Sequence, residues 1–422
     1  MTQGRAIPLD LRLYGLATSV VEPLAPLLLG RRAKQGKEDP ARLAERLGHA
    51  SLPRPEGRLV WLHGASVGET LSLTPLIERL RAGRPDLNVL LTSGTVASAE
   101  LISRRASTGA MHQFAPIDAP QAAERFLDHW RPDLAVFVES EIWPNLLVKA
   151  KARGVRLALV SARLSDKSLR GWARRPEAAR ALFRGFDLVL AQTDALAEGL
   201  RSLGAKDHGR LNLKLAAAPL AVDQAALADL RAAAGDRPVL LAASTHPGED
   251  EIVLDAFLKI NGYALLVIVP RHPARAGDIL RMAEAQGFET ALRTEQPFGE
   301  AHVYIADTLG ELGLWFSLAT SALVGGSLLP GPGGHNPIEP AQLGCPIITG
   351  PYVENWQAIY AALIGAGAVV IARDALDLTA AFTEALLQPA QARERAAHAR
   401  QTVAAGETGL DTAIAALLKL VP

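Results

Sequence analysis

Leu59 to Ser93 reads LVWLHGASVGETLSLTPLIERLRAGRPDLNVLLTS. It opens on an apolar run, turns through glycines and small residues, continues with apolar residues at helical spacing, and closes on a second apolar run. A strand, a helix and a second strand in this order make a βαβ unit, whose two strands lie parallel. The alternation extends from here through the chain. In the first half LVWLH, NVLLTS, LAVFVES, RLALVS and DLVLAQT are candidate strands, with helices such as LSLTPLIERLRAG and NLLVKAKARG between them. In the second half PVLLAAS, ALLVIVP, HVYIAD, ALVGGS, PIITG and AVVIA repeat the pattern. From Ala216 to Asp236 it lapses into an alanine-rich stretch. The expected architecture is α/β: two Rossmann-like, doubly wound domains facing a deep cleft, with ligands gathered at the carboxyl ends of the strands. The expected boundaries are 1–33 for an N-terminal segment, 34–215 for the first domain, 216–237 for a linker and 238–422 for the second domain, whose last helix is free to pack back on the first.

Composition narrows the classes. The chain has 422 residues, 49% hydrophobic and 21% charged, enough apolar material for two cores. Its 44 Lys and Arg balance 44 Asp and Glu, so no overall field draws it to a phosphate backbone, and no nucleic-acid partner is expected. The single cysteine, Cys345, can form neither an intrachain disulfide nor a thiolate metal site, which suits a reducing compartment.

The N-terminal segment departs from this average. Leu13 to Leu29 is apolar apart from Glu22 and is followed by Arg31, Arg32, Lys34 and Lys37. It is short for a spanning helix, and its basic cluster follows the apolar part, the reverse of a cleaved signal peptide. Residues 1–58 carry ten Lys and Arg against six Asp and Glu. An apolar helix with a basic flank fits a membrane-interface anchor on an anionic surface, with a packing helix as the alternative.

Candidate chemistry sits just after the strands. Gly64 to Thr70 (GASVGET) places Ser66 and Glu69 at the start of a helix, where Glu69 is either a first-turn cap or a general base. Glu139 and Glu141, in ESEIWPN, follow the most apolar strand of the first half. In the second half Thr245 and His246 (STHPGE) and Arg271 and His272 (PRHP) offer hydroxyl, imidazole and guanidinium donors. Gly325-Gly326-Ser327, with Gly333-Gly334-His335-Asn336 beyond it, has the small residues that let backbone N–H groups approach a phosphate. Asn336-Pro337 reads as a helix start, and Glu339, one turn on, is suited to accept from ribose hydroxyls. No GxGxxG, P-loop, HExxH or paired CxxC pattern occurs, which removes the main support for dinucleotide, ATPase and zinc readings.

Taken together, these segments resemble the 3-deoxy-D-manno-octulosonic acid (Kdo) transferases of Gram-negative lipopolysaccharide assembly. KQGKEDPARLAERLG, WLHGASVGE, LTSGT, ESEIWPN, SARLSDKS, AQTDA, ASTHPGE, PRHPAR, DTLGEL, VGGSLLPGPGGHNPIEPA and Asn355 occur in family order over nearly the whole chain. The resemblance implies a GT-B glycosyltransferase that inverts the anomeric centre without a metal or other cofactor, taking Kdo from CMP-Kdo to lipid IVA. It implies that Glu69 is the base, that Arg271, His272, Gly326, Ser327, Gly334 and Asn336 serve the donor phosphate, and that Glu339 meets the nucleotide ribose. Glu139, Glu141, Lys214 and Asn355 match further family positions. It also implies work at the cytoplasmic face of the bacterial inner membrane, on the membrane lipid surface. The family's GNLKFD-like stretch stands here as Leu211 to Ala216 (LNLKLA), keeping Asn212 and Lys214 without the leading Gly and the closing Asp. Two other classes fit the same fold: a GT-B enzyme using a UDP-sugar, as glycosyltransferase or epimerase, and more remotely a non-catalytic membrane-associated scaffold.

Overall fold

The structure, a computed structural model, describes residues 7–104, 109–216, 219–260 and 264–422. Residues 1–6 of the N-terminal segment and 217–218 of the expected linker lie outside the described residues. The chain divides into two compact units, one formed by residues 1–217 with 406–422, the other by 218–405.

In the first unit the described strands are β1 (Leu59–His63), β2 (Asn88–Ser93), β3 (Met111–Phe114), β4 (Leu134–Val138), β5 (Arg156–Ala162) and β6 (Leu188–Ala191). They form one sheet in the order β3-β2-β1-β4-β5-β6, every pair parallel. Right-handed helical crossovers from β1 outward in both directions give this order, and the reversal falls beside β1. Helices cover both faces, which is why the strands read as unbroken apolar runs rather than alternating ones. Leu59 and Trp61 enter one core with Phe126, Trp130 and Phe137, while Val60 and Leu62 enter the other with Leu76, Ile77 and Leu80. That second core also takes Leu410, Ala413, Ile414, Leu417 and Val421, from the end of the last helix, Pro389–Leu418, and just beyond it.

In the second unit β7 (Val239–Thr245), β8 (Leu265–Pro270), β9 (Thr290–Leu292), β10 (Val303–Ile305), β11 (Ser321–Val324), β12 (Ile347–Thr349) and β13 (Val369–Ile371) form a parallel sheet in the order β13-β12-β11-β7-β8-β10-β9. Leu240 and Ala242 face one core, with Phe257 and Phe382; Leu241 and Ala243 face the other, with Tyr304 and Trp315. The stretch read as a linker contains a helix, Gln224–Ala234, capped by Asp223 and burying Leu227 and Leu230 in this unit.

The eleven candidate strands all occur. Two short ones, β3 and β9, escaped the apolar reading, because an edge strand is covered less and tolerates polar residues such as His112, Gln113 and Thr290.

The N-terminal segment is helical over Leu9–Val21, tightens through Glu22–Leu24, and continues over Ala25–Lys34. Taken together, these 26 residues are long and apolar enough to cross a membrane, which the shorter stretch read from sequence was not. Glu22, which breaks the apolar run, is buried and accepts from the N–H groups of Gln121 (3.0 Å) and Ala122 (2.7 Å) and from Arg125 (3.2 Å), capping helix Pro120–Trp130. Tyr14 donates to Asp118 at 3.0 Å, and Asp118 in turn caps helix Pro144–Ala152 through Leu146. One side of the segment is thus pinned to the first unit by polar contacts, while Leu9, Leu13, Leu16, Val20, Leu24, Leu27 and Leu28 are exposed.

Candidate active site

In the first unit the candidate residues converge at the carboxyl ends of β1 and β4. Helix Val67–Ser72 starts four residues after β1, and its N-cap is Ser66. Ser66 Oγ accepts from the Glu69 N–H at 3.3 Å and donates to Glu69 Oε1 at 3.0 Å, while Glu69 Oε2 accepts the Ala65 N–H at 2.7 Å. The cap reading of Glu69 is therefore realised in the free protein. Its carboxyl is nonetheless pushed above the ordinary glutamate range, by burial first, then by the charge of Glu141 and, less, of Glu139; the Ala65 N–H and Ser66 hydroxyl pull the other way.

Glu141 is held in a chain that begins in the core. Trp61 Nε1 donates to Thr92 Oγ1 (2.8 Å), which meets His63 Nδ1 (2.9 Å); His63 Nε2 meets Glu141 Oε2 (3.1 Å), and Trp143 Nε1 donates to the same oxygen (2.7 Å). Glu141, ionised, can only accept, so His63 Nε2 donates to it, and the imidazole links that carboxylate through Thr92 to Trp61 in the core. Burial raises the Glu141 carboxyl, but the hydrogen bonds of His63 and Trp143 and the charge of His63 outweigh it and leave it below the ordinary value. Glu141 is thus a fixed negative charge beside Glu69. Glu139 adopts a left-handed backbone (φ 50°) directly after β4, and its carboxylate faces the Lys214 ammonium at 3.5 Å. The Leu213 N–H beside it donates to Ser161 Oγ, so the LNLKLA stretch is tied to the end of β5.

In the second unit the two loops singled out from sequence meet, and a residue that sequence reasoning passed over joins them. Glu249, 1% exposed, accepts four backbone N–H groups: His246 (2.9 Å), Gly326 (2.7 Å), Ser327 (2.9 Å) and Leu328 (2.9 Å). The N–H groups of Gly326 and Ser327, expected to face a phosphate, face this carboxylate instead. The Ser327 hydroxyl is buried as well, donating to Val324 O (2.6 Å) and accepting from Gly350 N (2.8 Å). A Cβ on Gly350 would meet Ser327 O at 1.9 Å, so no other residue fits there.

Above this turn His246 Nε2 and His335 Nε2 lie 2.9 Å apart, with ring planes 15° apart and centroids separated by 5.1 Å. These values place the rings edge to edge in one plane, joined by a nearly straight N–H···N bond. His335 is lowered to about 4, by burial and then by the charges of His246, Arg271 and His272 against Glu249; His246 is lowered too, by burial first. Arg271 and His272 stand exposed at the end of β8, with His272 6.3 Å from His246 between ring centroids. Thr245 is buried, and its carbonyl accepts from the Arg271 N–H and the Arg275 guanidinium, which also pairs with buried Asp250.

The second glycine pair is shaped by other contacts. Gly334 (φ 79°) donates to Gly326 O at 2.7 Å, and Asn355 closes the turn, its N–H on Gly333 O and its side-chain amide on Pro332 O. Asn336 Oδ1 accepts from the Ile338 N–H (3.0 Å) at the start of the short helix Ile338–Leu343, and its amide donates to Glu339 Oε1 (3.1 Å). The Glu339 carboxyl is raised by burial.

Among the described residues, four that are not glycine have a left-handed φ, and three of them, Glu139, Ser161 and Ser244, end strands beside these clusters. Backbone held in a sparsely populated region at a strand end points to function. Of the residues passed over, His63 ended a strand already read as apolar, and Glu249 stood three residues after His246, the spacing of a carboxylate reaching back to cap a turn.

Comparison with known proteins gives a consistent result. Residues 41–217 match the family described as 3-deoxy-D-manno-octulosonic-acid transferase (kdotransferase). The 3-deoxy-D-manno-octulosonic acid transferase of Bordetella pertussis is 36% identical over 422 residues, covering 94% of this chain and 96% of its own. That of Rickettsia bellii is 32% identical over 390 residues, covering 91% and 92%. Among solved structures, the UDP-GlcNAc 2-epimerase of Neisseria meningitidis, bound to UDP-GlcNAc, is 16% identical, covers 86% of this chain and 100% of its own, and has a TM-score of 0.58, a likeness of fold.

Proposed function

This chain belongs to the 3-deoxy-D-manno-octulosonic acid (Kdo) transferase family of glycosyltransferases, and from that premise we propose that it moves Kdo from CMP-Kdo to lipid IVA, inverting the anomeric centre. The observation that carries the reading is Glu69: a carboxylate at a strand's carboxyl end, with its affinity for a proton raised by burial and by Glu141. Glu69 takes the proton of the acceptor hydroxyl as that oxygen bonds to the anomeric carbon of Kdo. The bond from that carbon to the phosphate oxygen breaks, and CMP departs with its electron pair. A base tuned upward from the usual carboxylate range is better matched to a hydroxyl proton near neutral pH.

Negative charge grows on the departing phosphate. Arg271 and His272, exposed at the end of β8, are the side chains suited to meet it, with Gly334 and Asn336 shaping the loop beside them. Gly326 and Ser327 contribute as the rigid turn beneath, and Glu339 accepts from the ribose. Glu139, Lys214, Thr245, His246 and Asn355 hold these groups in place, and the chemistry asks for no metal or other cofactor.

The lipid acceptor sits in a bilayer, so the exposed leucines of the N-terminal helix and its basic end are assigned to the cytoplasmic face of the bacterial inner membrane. The test is product mass after incubation with CMP-Kdo and lipid IVA, beside a Glu69→Gln control. A Glu69-dependent gain of one or more Kdo units supports the reading. No gain, with folded protein and intact donor, overturns it.

A further inference from the structure

The turn through Gly326, Ser327 and Leu328 presents three successive N–H groups inward, the geometry with which backbones hold anions. Here the anion is built in. Each oxygen of Glu249 takes two N–H groups: Oε1 those of Ser327 and Leu328, Oε2 those of Gly326 and His246. Four N–H···O bonds to one buried carboxylate stand in for the water it loses on burial.

We propose that Glu249 is a positioning residue for donor recognition, an internal carboxylate that fills the glycine turn in place of a bound phosphate and thereby sets His246 against His335. The inference rests on the donor reading given above. Two placements follow from the one carboxylate. It fixes the backbone of His246 through its N–H, and it fixes Gly326, against which the His335 ring lies so closely that a Cβ there would meet ring atom Cδ2 at 2.9 Å. The straight imidazole–imidazole bond tolerates little error, because its two nitrogens share one proton at 2.9 Å. With the turn already occupied, the donor phosphate is left to the side chains of Arg271 and His272 beside that pair, and the loop is ordered before the nucleotide arrives, so that binding does not have to order it.

The test is equilibrium binding of CMP to the full-length protein in detergent, for wild type, Glu249→Gln and Glu249→Ala, with unfolding midpoints measured alongside. Glu249→Gln turns an amide N–H2 toward N–H groups and is expected to weaken CMP binding about tenfold, the scale of one charged hydrogen bond. Excess formate, small enough to enter the space left in Glu249→Ala, is expected to restore part of its CMP affinity while leaving wild type and Arg271→Ala without gain. A role in packing alone predicts no such rescue. Glu249→Gln and Glu249→Ala binding CMP as wild type does, or formate without effect on Glu249→Ala, overturns the proposal. Should Glu249→Ala fail to fold, Glu249→Gln decides it alone, through its CMP affinity at an unchanged unfolding midpoint. A wild-type chain that does not bind CMP overturns the donor reading and this inference with it, whereas wild-type binding with unaffected variants overturns only the role of Glu249.

Discussion

Ser66 and Glu69 each satisfy the other: the serine hydroxyl takes the glutamate N–H at 3.3 Å and gives its own proton to the glutamate carboxylate at 3.0 Å. One carboxylate is therefore a helix cap and a candidate base at once, and substitution separates the roles. Glu69→Gln keeps an oxygen for the Ala65 N–H but takes no proton. Kdo transfer is expected to fall about 10²- to 10⁴-fold with CMP affinity unchanged. Glu69→Ala is expected to lose about 1 kcal/mol of stability in addition, as the cap goes. Near-normal turnover by Glu69→Gln removes this residue from the chemistry.

The charge of Glu141 raises the proton affinity of Glu69, and a base works in its ionised form. With Glu69 as the base, activity is expected to be lost on the acid side at a pH above the ordinary glutamate range. Glu141→Gln removes the charge and is expected to move that acid limb of kcat/KM to lower pH. A limb that stays in place, or moves up, breaks the link between the two carboxylates.

Arg271 stands exposed at the end of β8. Arg271→Ala is expected to weaken CMP-Kdo binding by about 1.5 to 3 kcal/mol, as for a hydrogen bond to a charged group. Calorimetric titration with CMP reads the same loss, and unchanged affinity would place the phosphate elsewhere.

The N-terminal helix separates membrane contact from folding. Leu16, Val20 and Leu27 are 65%, 72% and 74% exposed, so Leu16→Asp with Val20→Asp is expected to lower binding to vesicles of anionic phospholipid at an unchanged unfolding midpoint. Glu22→Ala instead strands the donors of Gln121, Ala122 and Arg125 and is expected to lose about 1 to 3 kcal/mol of stability. Vesicle binding indifferent to the aspartates would leave this helix a packing element.

His112, between Ser93 and Arg42, is lowered from 6.5 to about 4, by burial and then by the Arg42 charge. Below 6.5 the unfolded chain takes a proton that the folded one refuses. Stability is thus expected to fall as pH drops from 6.5 toward about 4, by at most about 1.4 kcal/mol per pH unit for this group. Denaturant unfolding of His112→Gln over that range should show a shallower decline; an equal decline would assign the proton elsewhere.

The sheets were legible because parallel strands buried on both faces are written as apolar runs, and LVWLH and ALLVIVP need no context to be recognised. The edges were not: MHQF and TAL carry too little apolar surface to stand out. Glu69, Arg271 and Asn336 could be singled out as candidates because loops after parallel strands are where ligands collect, and their neighbours spell a known family. Glu249 and His63 were passed over because their importance lies in partners far along the chain, Gly326 to Leu328 in one case and Glu141 in the other. Local spacing carries no trace of such bonds. Glu22 misled in the opposite direction: read as an interruption of an apolar segment, it is the pin that fastens the segment to the first unit.

The core behind β1 is completed by Leu410, Ala413, Ile414, Leu417 and Val421. They follow the whole second unit in the chain, although the sheet they cover precedes it. Leading domains generally finish folding while the rest of the chain is still being made. This one has a core left incomplete until residues 218–405 and the segment after them have been made. The N-terminal helical segment, long and apolar enough to cross a membrane, is made well before those residues, so it is on offer while this core is still incomplete.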